Sequence, residues 1–364
     1  MKRIIHILAC FSLVTAAILT AGCTSKPEPA GLFSEGENTP VTITGYTDLS
    51  GLNDSYFLKE GDKIAVIAPS ALPGREKVET VMNGLRECGY VPVEGKYASV
   101  EERTLENCIE DLEWALTDPE IKGIFCVRGG YASTEVMDVL PLSLIKDAKK
   151  PIIGFSDITV YLSAWTASGL MSLHSEMYYL FNGLSEECVD PSKRILQGEI
   201  PVYHVEGTDS DIPGQAEGIL IGGNLVTLTS VLNTAYDCTR TGQPYILFLE
   251  EVAEDYEHIH RGLTILDHFG VLDNAQGIIF GEWIEVPEEC ETYGGSSRGG
   301  AFQSVRDMIS RQFLQDCKIP VAFGFPSGHG TVNYPLLMGA PMRLNVTEDS
   351  YTLEWLAEDS QKNK

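Results

Sequence analysis

One short stretch, Gly-Ile-Phe-Cys-Val-Arg-Gly-Gly-Tyr-Ala-Ser-Thr at 123–134, constrains the fold of this chain more than any other. An apolar run of strand-forming residues at 124–127 ends at two glycines, and helix-like spacing begins at Val136. A strand that turns directly into a helix gathers backbone N–H groups at the start of that helix. The pattern therefore predicts that Ser133 lies at a strand-to-helix corner that is suited to hold negative charge.

The corner serine has two interpretations. Serine is common as an N-cap, where it only satisfies the first amides of a helix. It is also the nucleophile of many hydrolases, which requires a nearby base and an orienting acid. The stretch around Ser133 is not the Gly-x-Ser-x-Gly motif of the α/β-hydrolases, so this motif alone does not decide between the two.

Strand-like and helix-like patterns alternate along the first half of the chain. Apolar strand-like runs lie at 63–69, 90–93, 123–127 and 151–155, and helical spacing separates them at 75–89, 102–118 and 134–141. A further helix is expected at 157–165, with Ser156 or Asp157 as its N-cap. This alternation predicts an N-terminal α/β domain at 58–182, built on a doubly wound, mostly parallel sheet.

The second half predicts another unit. Short polar and acidic pieces at 183–215 indicate an interdomain connection. Strand-like runs at 245–249 and 277–280, with a helical pattern between them, then predict a smaller C-terminal α/β domain of mixed strands at 216–364.

The N-terminus has the layout of a secretory signal. Lys2 and Arg3 precede an apolar run at 4–19, and small residues follow, which predicts a signal peptide at 1–22. The sequence Leu-Thr-Ala-Gly-Cys at 19–23 resembles the lipobox of bacterial lipoproteins, although Thr20 stands where leucine is usual. The resemblance implies that Cys23 is lipidated and that 23–57 is a flexible tether of an exported lipoprotein anchored in the cell envelope.

The alternative for this N-terminal run is a true membrane-spanning anchor. His6 and Ser12 interrupt the run, and it is shorter than the roughly 20 residues that a span requires. Both observations favour the signal peptide.

Charge and cysteine usage exclude several classes of partner. The formal net charge is −26 at pH 7, which opposes binding to nucleic acid or to anionic lipid, so contact with the membrane is expected only through the N-terminal lipid. The nine cysteines include no Cys-x-x-Cys pair, and nothing in their spacing requires a disulfide. His258 and His260 lack the further ligands of a zinc signature, so neither a metal nor another cofactor is predicted.

Two motifs offer partners for a serine nucleophile. His329 lies in Gly-Phe-Pro-Ser-Gly-His-Gly at 324–330, directly after a strand-like run, and loops at strand ends often hold catalytic side chains. Glu250 and Glu251 follow the predicted strand at 245–249. The alternatives are a histidine bonded to its own turn and two solvated acids. The residues by themselves leave these alternatives open.

Six motifs together resemble the serine peptidases of the LD-carboxypeptidase family, which also includes the microcin C self-immunity peptidases. They are Ala-Pro-Ser at 68–70, Arg-Gly-Gly-Tyr-Ala-Ser at 128–133, Gly-Phe-Ser-Asp-Ile-Thr at 154–159, Gly-Gly-Asn-Leu at 222–225, Leu-Glu-Glu-Val at 249–252 and Gly-His at 328–329. They occur in family order, and the similarity covers nearly the whole chain from about residue 58 to the C-terminus. The resemblance implies that Ser133 is the nucleophile, Glu250 the acid and His329 the base.

The resemblance also implies a site between the two domains that catalyses acyl transfer. The terminal D-Ala of a muropeptide tetrapeptide would be released, and the backbone amides of Gly130 and Thr134 would hold the oxyanion. Arg128 and Arg298 are candidates to bind the free carboxylate of the peptide, although Arg128 could equally be a structural pin at the sheet edge. A homodimer is a further expectation from the family.

Several positions depart from the family pattern and bear on specificity. Ala132 stands where glycine is frequent, Thr134 and Glu135 replace small and basic residues, and Glu251 replaces a common aspartate. His-Ser-Glu-Met begins at His174, where His-Gly-Pro-Met is typical, and the loop at 284–300 is longer than in the simplest members.

Two alternative functions remain open. One keeps the fold and is an immunity-type peptidase that cleaves an aminoacyl-nucleotide antibiotic, although the predicted export signal opposes that role. The other is a non-catalytic lipoprotein that binds peptides, which the presence of all three triad residues opposes.

Overall fold

The computed structural model describes residues 39–51, 56–286 and 304–357 of the 364-residue chain. Within these ranges, fourteen strands form two sheets: β1 (Val41–Asp48), β2 (Lys63–Ile67), β3 (Val91–Glu94), β4 (Ile121–Cys126), β5 (Ile152–Gly154), β6 (Ser172–His174), β7 (Glu199–Glu206), β8 (Gly214–Asn224), β9 (Tyr245–Val252), β10 (Gly277–Ile284), β11 (Val321–Phe323), β12 (Leu336–Met338), β13 (Pro341–Val346) and β14 (Ser350–Trp355).

Ten α-helices accompany these strands in the described ranges: α1 (Arg75–Glu87), α2 (Leu105–Thr117), α3 (Ser133–Met137), α4 (Leu142–Ala148), α5 (Thr159–Ala167), α6 (Val189–Leu196), α7 (Leu225–Val231), α8 (Tyr256–His268), α9 (Val271–Asn274) and α10 (Val305–Gln312). A short 3-10 turn, Ser156–Ile158, precedes α5.

The first sheet has six strands in the order β12-β6-β5-β4-β2-β3. All of its pairings are parallel except that of β12 with β6. The apolar run of β2 suits its internal position between β4 and β3, because residues 64–67 are completely buried, as expected for a strand that is covered on both faces. The predicted doubly wound, mostly parallel sheet is confirmed. In such a sheet the loops at the carboxyl ends of the strands form the binding edge.

The second sheet has eight strands in the order β1-β7-β14-β13-β8-β9-β10-β11. The strands β8 to β11 run parallel to one another, and the other pairings are antiparallel. The mixed C-terminal sheet is therefore confirmed, although with eight strands it is the larger of the two. The chain passes between the sheets four times, after β1, β6, β11 and β12, because β1 joins the second sheet and β12 joins the first.

Part of the predicted tether is a structural element. The strand β1 pairs antiparallel with β7, from Val41 opposite Val205 to Asp48 opposite Glu199. Its sequence, Val-Thr-Ile-Thr-Gly-Tyr-Thr-Asp, is rich in β-branched and aromatic residues, which favour an extended chain. The prediction of a flexible tether over 23–57 is therefore wrong for these eight residues. Residues 1–38 and 52–55 lie outside the described part of the chain.

The predicted connection at 183–215 is also ordered. It contains α6, which buries Ile195 and Leu196, and β7, which pairs with β1 and β14. The prediction failed because α6 is only two turns long and its apolar positions are few. The two halves of the chain are consequently joined by packed elements rather than by a linker.

The apolar run at 4–19 and Cys23 lie outside the described residues, so export and lipidation stay predictions. Within the described ranges, none of the helices has both the length and the apolar character required to cross a bilayer. Five of the six described cysteines are buried and all six are free, as expected for cysteines that pack as small apolar residues: Cys88, Cys108, Cys126, Cys188, Cys238 and Cys317.

A buried lysine closes the C-terminal end of α2. The Nζ atom of Lys150 donates hydrogen bonds to the carbonyl oxygens of Ala115 at 2.8 Å, Leu116 at 2.8 Å and Asp118 at 2.7 Å. These carbonyls have no partner within the helix, and a cation there also interacts favourably with the helix dipole. The carbonyl oxygen of Lys150 accepts a hydrogen bond from Trp165, which ties α2 to α5.

We expect Lys150→Met to lower the free energy of unfolding by about 1–3 kcal/mol, because methionine fills the same space but leaves the carbonyls of Ala115 and Leu116 without this donor, whereas that of Asp118 still accepts from the Ile121 amide. Urea unfolding followed by circular dichroism measures this loss. Lys146→Met is the matched control, since Lys146 is exposed on α4. Equal stability of the two variants would contradict the proposed cap.

Candidate active site

The strand-to-helix corner is present at the predicted place. The strand β4 ends at Cys126, a loop follows, and α3 begins at Ser133. The residue before it, Ala132, has a φ of 83°, in the left-handed region that glycine adopts most easily. This geometry explains why glycine would be frequent at that position. A non-glycine residue held there by its surroundings costs on the order of 1 kcal/mol, as is common at functional turns.

Ser133 is not an N-cap. It is the first residue inside α3, its side chain is completely buried, and the cap position belongs to Ala132. Instead, Asp157 binds it through a single carboxylate oxygen. Oδ2 of Asp157 accepts hydrogen bonds from Ser133 Oγ at 2.6 Å and from the Ser133 amide at 3.1 Å. The hydroxyl of Ser70, which follows β2, donates to the same oxygen.

Asp157 lies directly after β5, in the 3-10 turn that precedes α5. It had been predicted, with Ser156, only as a helix cap. Neither residue caps α5: the cap position is Ile158, and the side chain of Asp157 instead faces the corner that carries Ser133. Its position after a strand of the parallel sheet was the signal that could have identified it.

Glu250 and His329 form a close acid–base pair. Nδ1 of His329 lies 2.7 Å from Oε2 of Glu250, whose side chain is completely buried near the end of β9. The His329 side chain remains 16% exposed, so the imidazole is accessible from one side. Because Nδ1 faces a carboxylate, it carries the proton, and Nε2 of the neutral ring is free to accept another.

The adjacent acid, Glu251, makes different contacts. Glu251 accepts hydrogen bonds from the side chain of Asn224 at 2.6 Å and from the amide of Val226 at 2.9 Å. These contacts hold the turn between β8 and α7. The structure thus separates the two adjacent acids, because only Glu250 contacts the imidazole.

Aromatic packing places His329 against the segment after β5 that also carries Asp157. The ring of Phe155, two residues before Asp157, lies 4.6 Å from the His329 ring between centroids. Ser133 belongs to the loops of the first sheet, whereas Glu250 lies in the second sheet and His329 in the loop after its last strand. The Ser133 hydroxyl donates to Asp157 and not to His329 in this structure. Such contacts are often completed only when a substrate binds.

Several further ionisable groups surround the imidazole. Burial raises the pKa of Glu176, Glu251 and Glu282 to about 7 each. Burial lowers the pKa of His329, but the negative charges of Glu250, Glu176 and Glu251 and the hydrogen bond from Glu250 outweigh this effect, so that its pKa is raised. His174 is the opposite case, because burial lowers its pKa to about 4 and it stays neutral.

The roles of Glu176 and Glu282 were missed in the sequence. Glu282 accepts a hydrogen bond at 2.9 Å from the amide of Gly330, next to His329. Glu176 accepts one from the amide of Met177 at 2.9 Å and is buried. Neither follows a motif that distinguishes it from an ordinary acid. Only tertiary packing places them around the base.

These shifts predict the pH dependence of a reaction that needs neutral His329. The rate should fall as the pH drops through its raised pKa, and Glu176→Gln should move this acid limb to lower pH because the partial negative charge of Glu176, whose own pKa is about 7, is lost. The contribution of His329 to folding stability has the matching sign: it is fully present below the unfolded pKa of about 6.5 and is lost as the pH rises through the higher folded pKa.

Profiles of kcat/KM against pH for the two proteins measure the shift. Glu257→Gln is the matched control, since Glu257 is exposed on α8 and pairs with Arg261. A limb that stays in place in the Glu176 variant would contradict the assigned electrostatics.

Of the two predicted oxyanion donors, Gly130 lies in the loop before Ser133 and Thr134 follows Ser133 in α3. Only glycine fits at position 130, because its φ is 138° and an added Cβ would lie 2.4 Å from the Cβ of Ala71. The Ser133 amide is occupied by Asp157, and the Glu135 amide donates to the carbonyl of Ala132 at 3.1 Å. The Thr134 amide lies between these two in the first turn of α3, where amides have no partner within the helix.

Of the two arginines predicted to bind the carboxylate, only Arg128 lies in the described part of the chain. Arg128 is exposed in the loop between β4 and α3, five positions before Ser133 in the sequence. Arg298 and most of the loop at 284–300 lie outside the described residues. Across the described ranges, histidine, cysteine and acidic side chains form no cluster with the arrangement of a metal site.

Comparison with known proteins assigns the family. The family model for the LD-carboxypeptidase N-terminal domain matches residues 64–175, and the model for the C-terminal domain matches residues 217–344. The chain therefore belongs to the LD-carboxypeptidase family, and it is a peptidase of that family.

Two curated relatives are similar over most of this chain. A probable murein peptide carboxypeptidase of Bacillus subtilis is 29% identical, over 82% of this chain and 93% of its own. A murein tetrapeptide carboxypeptidase of Pseudomonas aeruginosa is 28% identical, over 74% of this chain and 89% of its own.

Two solved structures share the fold. The muramoyltetrapeptide carboxypeptidase of Oxalobacter formigenes has a TM-score of 0.69 at 23% identity and covers 81% of this chain and 100% of its own. The microcin C7 self-immunity protein MccF, bound to aspartyl sulfamoyl adenosine, has a TM-score of 0.69 at 20% identity and covers 83% of this chain and 98% of its own. They confirm the two-domain α/β fold.

Proposed function

We propose that this peptidase is a serine LD-carboxypeptidase that removes the terminal D-Ala from murein tetrapeptides. Ser133 is the nucleophile, His329 the base and Glu250 the orienting acid. The observation that carries the proposal is the 2.7 Å pair of Glu250 and His329, and a buried serine at the start of α3 supports it. A buried carboxylate that orients a partly exposed imidazole is the arrangement that serine hydrolases require.

The proposed reaction uses the hydroxyl of Ser133 and the Nε2 atom of His329. Ser133 Oγ attacks the carbonyl carbon of the scissile amide, and its proton passes to Nε2 of His329 while Glu250 stabilises the imidazolium. The amides of Gly130 and Thr134 would hold the oxyanion, and the loss of one such donor typically raises the barrier by about 2.7–4 kcal/mol. His329 then protonates the leaving amine of D-Ala, and water hydrolyses the acyl-enzyme.

The substrate class rests on the relatives and on the free carboxylate of the peptide. Both curated relatives carry names that refer to murein peptides. A carboxypeptidase must bind the terminal carboxylate, and Arg128 is an exposed guanidinium on the same loop as the corner. We also propose that the signal at 1–22 and lipidated Cys23 place the enzyme in the cell envelope, as a monomer or homodimer, where murein is present.

A panel of substrates tests the proposed function. The protein without its N-terminal 38 residues is incubated with L-Ala-γ-D-Glu-diaminopimelate-D-Ala, with the matching peptide that ends in L-Ala, and with an aspartyl sulfamoyl nucleoside. We expect D-Ala release from the first substrate only, measured by mass spectrometry.

The other outcomes identify the alternative functions. Cleavage of the nucleoside alone would favour the immunity-type peptidase. The self-immunity protein MccF is one of the solved structures that this chain resembles in fold. Tight binding of the tetrapeptide without turnover would indicate a binding protein. Either result would overturn the carboxypeptidase proposal.

A further inference from the structure

The nucleophile of this site is held by a carboxylate that lies outside the acid–base pair. Three protons converge on Oδ2 of Asp157: those of the Ser133 hydroxyl, the Ser133 amide and the Ser70 hydroxyl. All three residues are buried, with Ser133 at 0%, Ser70 at 1% and Asp157 at 8% exposure. Hydrogen bonds to a buried carboxylate are stronger than those between neutral groups. These bonds therefore determine where Ser133 Oγ points.

A hydroxyl has a single proton, so Ser133 cannot donate to Asp157 and to His329 at the same time. In the structure the proton is directed to Asp157, at 2.6 Å. Attack on a substrate needs it to be directed to Nε2 of His329. The side chain must therefore change partner before each acylation, whereas the Ser133 amide can keep its bond to Asp157 throughout.

The surroundings of Asp157 indicate that it orients the Ser133 hydroxyl and does not tune the pKa of His329. The carboxylates that raise the pKa of His329 are those of Glu250, Glu176 and Glu251. The loops after β4 and β5 are also in close contact, because a Cβ on Gly129 would lie 2.8 Å from the Cβ of Ser156. Asp157 is thus fixed by its own turn and acts on the orientation of Ser133 rather than on the strength of the base.

We propose that Asp157 is a positioning residue that holds the Ser133 hydroxyl in a resting orientation and that substrate binding releases the hydroxyl to His329. The inference rests on the proposed role of Ser133 as nucleophile. The Ser133 amide and the Ser70 hydroxyl remain bound to Oδ2, so the turn keeps its shape when the hydroxyl moves. A weaker bond to position 157 then increases the population that can attack.

The test measures the rate at which a fluorophosphonate reacts with Ser133. In this reaction Oγ forms the bond to phosphorus, fluoride leaves, and the hydroxyl proton passes to His329. Asp157→Asn keeps the size of the side chain and an oxygen acceptor but removes the charge, so the bond to the hydroxyl weakens. We expect about 3- to 10-fold faster phosphonylation, with an unchanged melting temperature.

Controls separate this inference from the function on which it rests. Asp147→Asn, on the exposed face of α4, should react at the wild-type rate, and Ser133→Ala should not react. If the wild-type protein does not react, the proposed nucleophile fails and this inference fails with it. If the wild type reacts but Asp157→Asn is equally fast or slower, this inference alone is overturned. Complete loss of labelling in Asp157→Asn would also overturn the inference and would indicate that Asp157 is the base.

A second measurement does not depend on a variant that folds. The crystal structure of the wild-type phosphonate adduct should show Ser133 Oγ turned away from Asp157, while the Ser133 amide still donates to Oδ2. An adduct in which Oγ stays within hydrogen-bond distance of Asp157 would overturn the inference.

Discussion

Substitution of Ser133 by alanine is expected to reduce D-Ala release from the tetrapeptide by at least about 10³-fold. In the proposed mechanism this variant lacks the atom that forms the acyl-enzyme, and only binding and the proposed oxyanion donors would remain. The hydroxyl also donates to Asp157, so its loss removes one of three bonds to that carboxylate. The Ser133 amide and Ser70 still satisfy it, and we therefore expect little change in melting temperature.

Initial rates measured by mass spectrometry of free D-Ala test this expectation. Ser70→Ala is the matched control, because it removes another donor to the same oxygen but leaves the nucleophile in place. Activity should remain within about tenfold of wild type in this control. Equal loss in the two variants would mean that the Asp157 contacts, and not the Ser133 hydroxyl, account for the effect.

Substitution of Glu250 by glutamine is expected to lower kcat by about 10²- to 10⁴-fold. Glutamine keeps the shape of the side chain, but it removes the charge that stabilises the imidazolium of His329. The pKa of His329 should fall, so the acid limb of the residual activity should move to lower pH.

Folding stability should behave differently from activity in the Glu250 variant. Oε1 of Glu250 is buried and has no hydrogen-bond partner among the described residues, so a charged group there is costly to the folded state. We expect the melting temperature of Glu250→Gln to be equal to or higher than that of wild type. A large loss of stability, with activity lost in parallel, would indicate that Glu250 has a structural role only.

Each of the three residues that we propose as the triad follows a strand-like run in the sequence. Ser133 comes after β4, Glu250 near the end of β9 and His329 after β11, and these apolar runs are readable without a structure. Strand ends are where side chains can leave a buried sheet and reach a common site. Their contacts could not be predicted, and the bond of Ser133 to Asp157 was not expected.

The groups that tune the site were not predictable from local patterns. Glu176 follows β6 of the first sheet and comes close to His329 only because the two sheets pack together, whereas Glu282 lies on β10, beside the strand β11 that precedes His329. The sequence marked Glu176 only as a departure from the motif that begins at His174. Its effect on the base depends on burial and distance, which no spacing in the sequence encodes.

The errors in the fold have a similar origin. The strand β1 lies far in sequence from β7, with which it pairs, and it follows a segment rich in proline and glycine. The strand β12 returns to the first sheet after most of the second sheet is complete. Pairings between distant segments depend on tertiary contacts. The local hydrophobic periodicity therefore predicts a domain boundary at 183–215, although α6 and β7 in this segment are packed.

The central claim is that Ser133 is the nucleophile of the peptidase, and active-site labelling tests it most directly. The protein is treated with a fluorophosphonate until labelling is complete, digested and mapped by mass spectrometry, while D-Ala release from the tetrapeptide is followed in parallel. We predict one adduct per chain, on the peptide that contains Ser133, with loss of activity in proportion to labelling. An adduct on another residue, or D-Ala release that persists after Ser133 is fully labelled, would contradict the account.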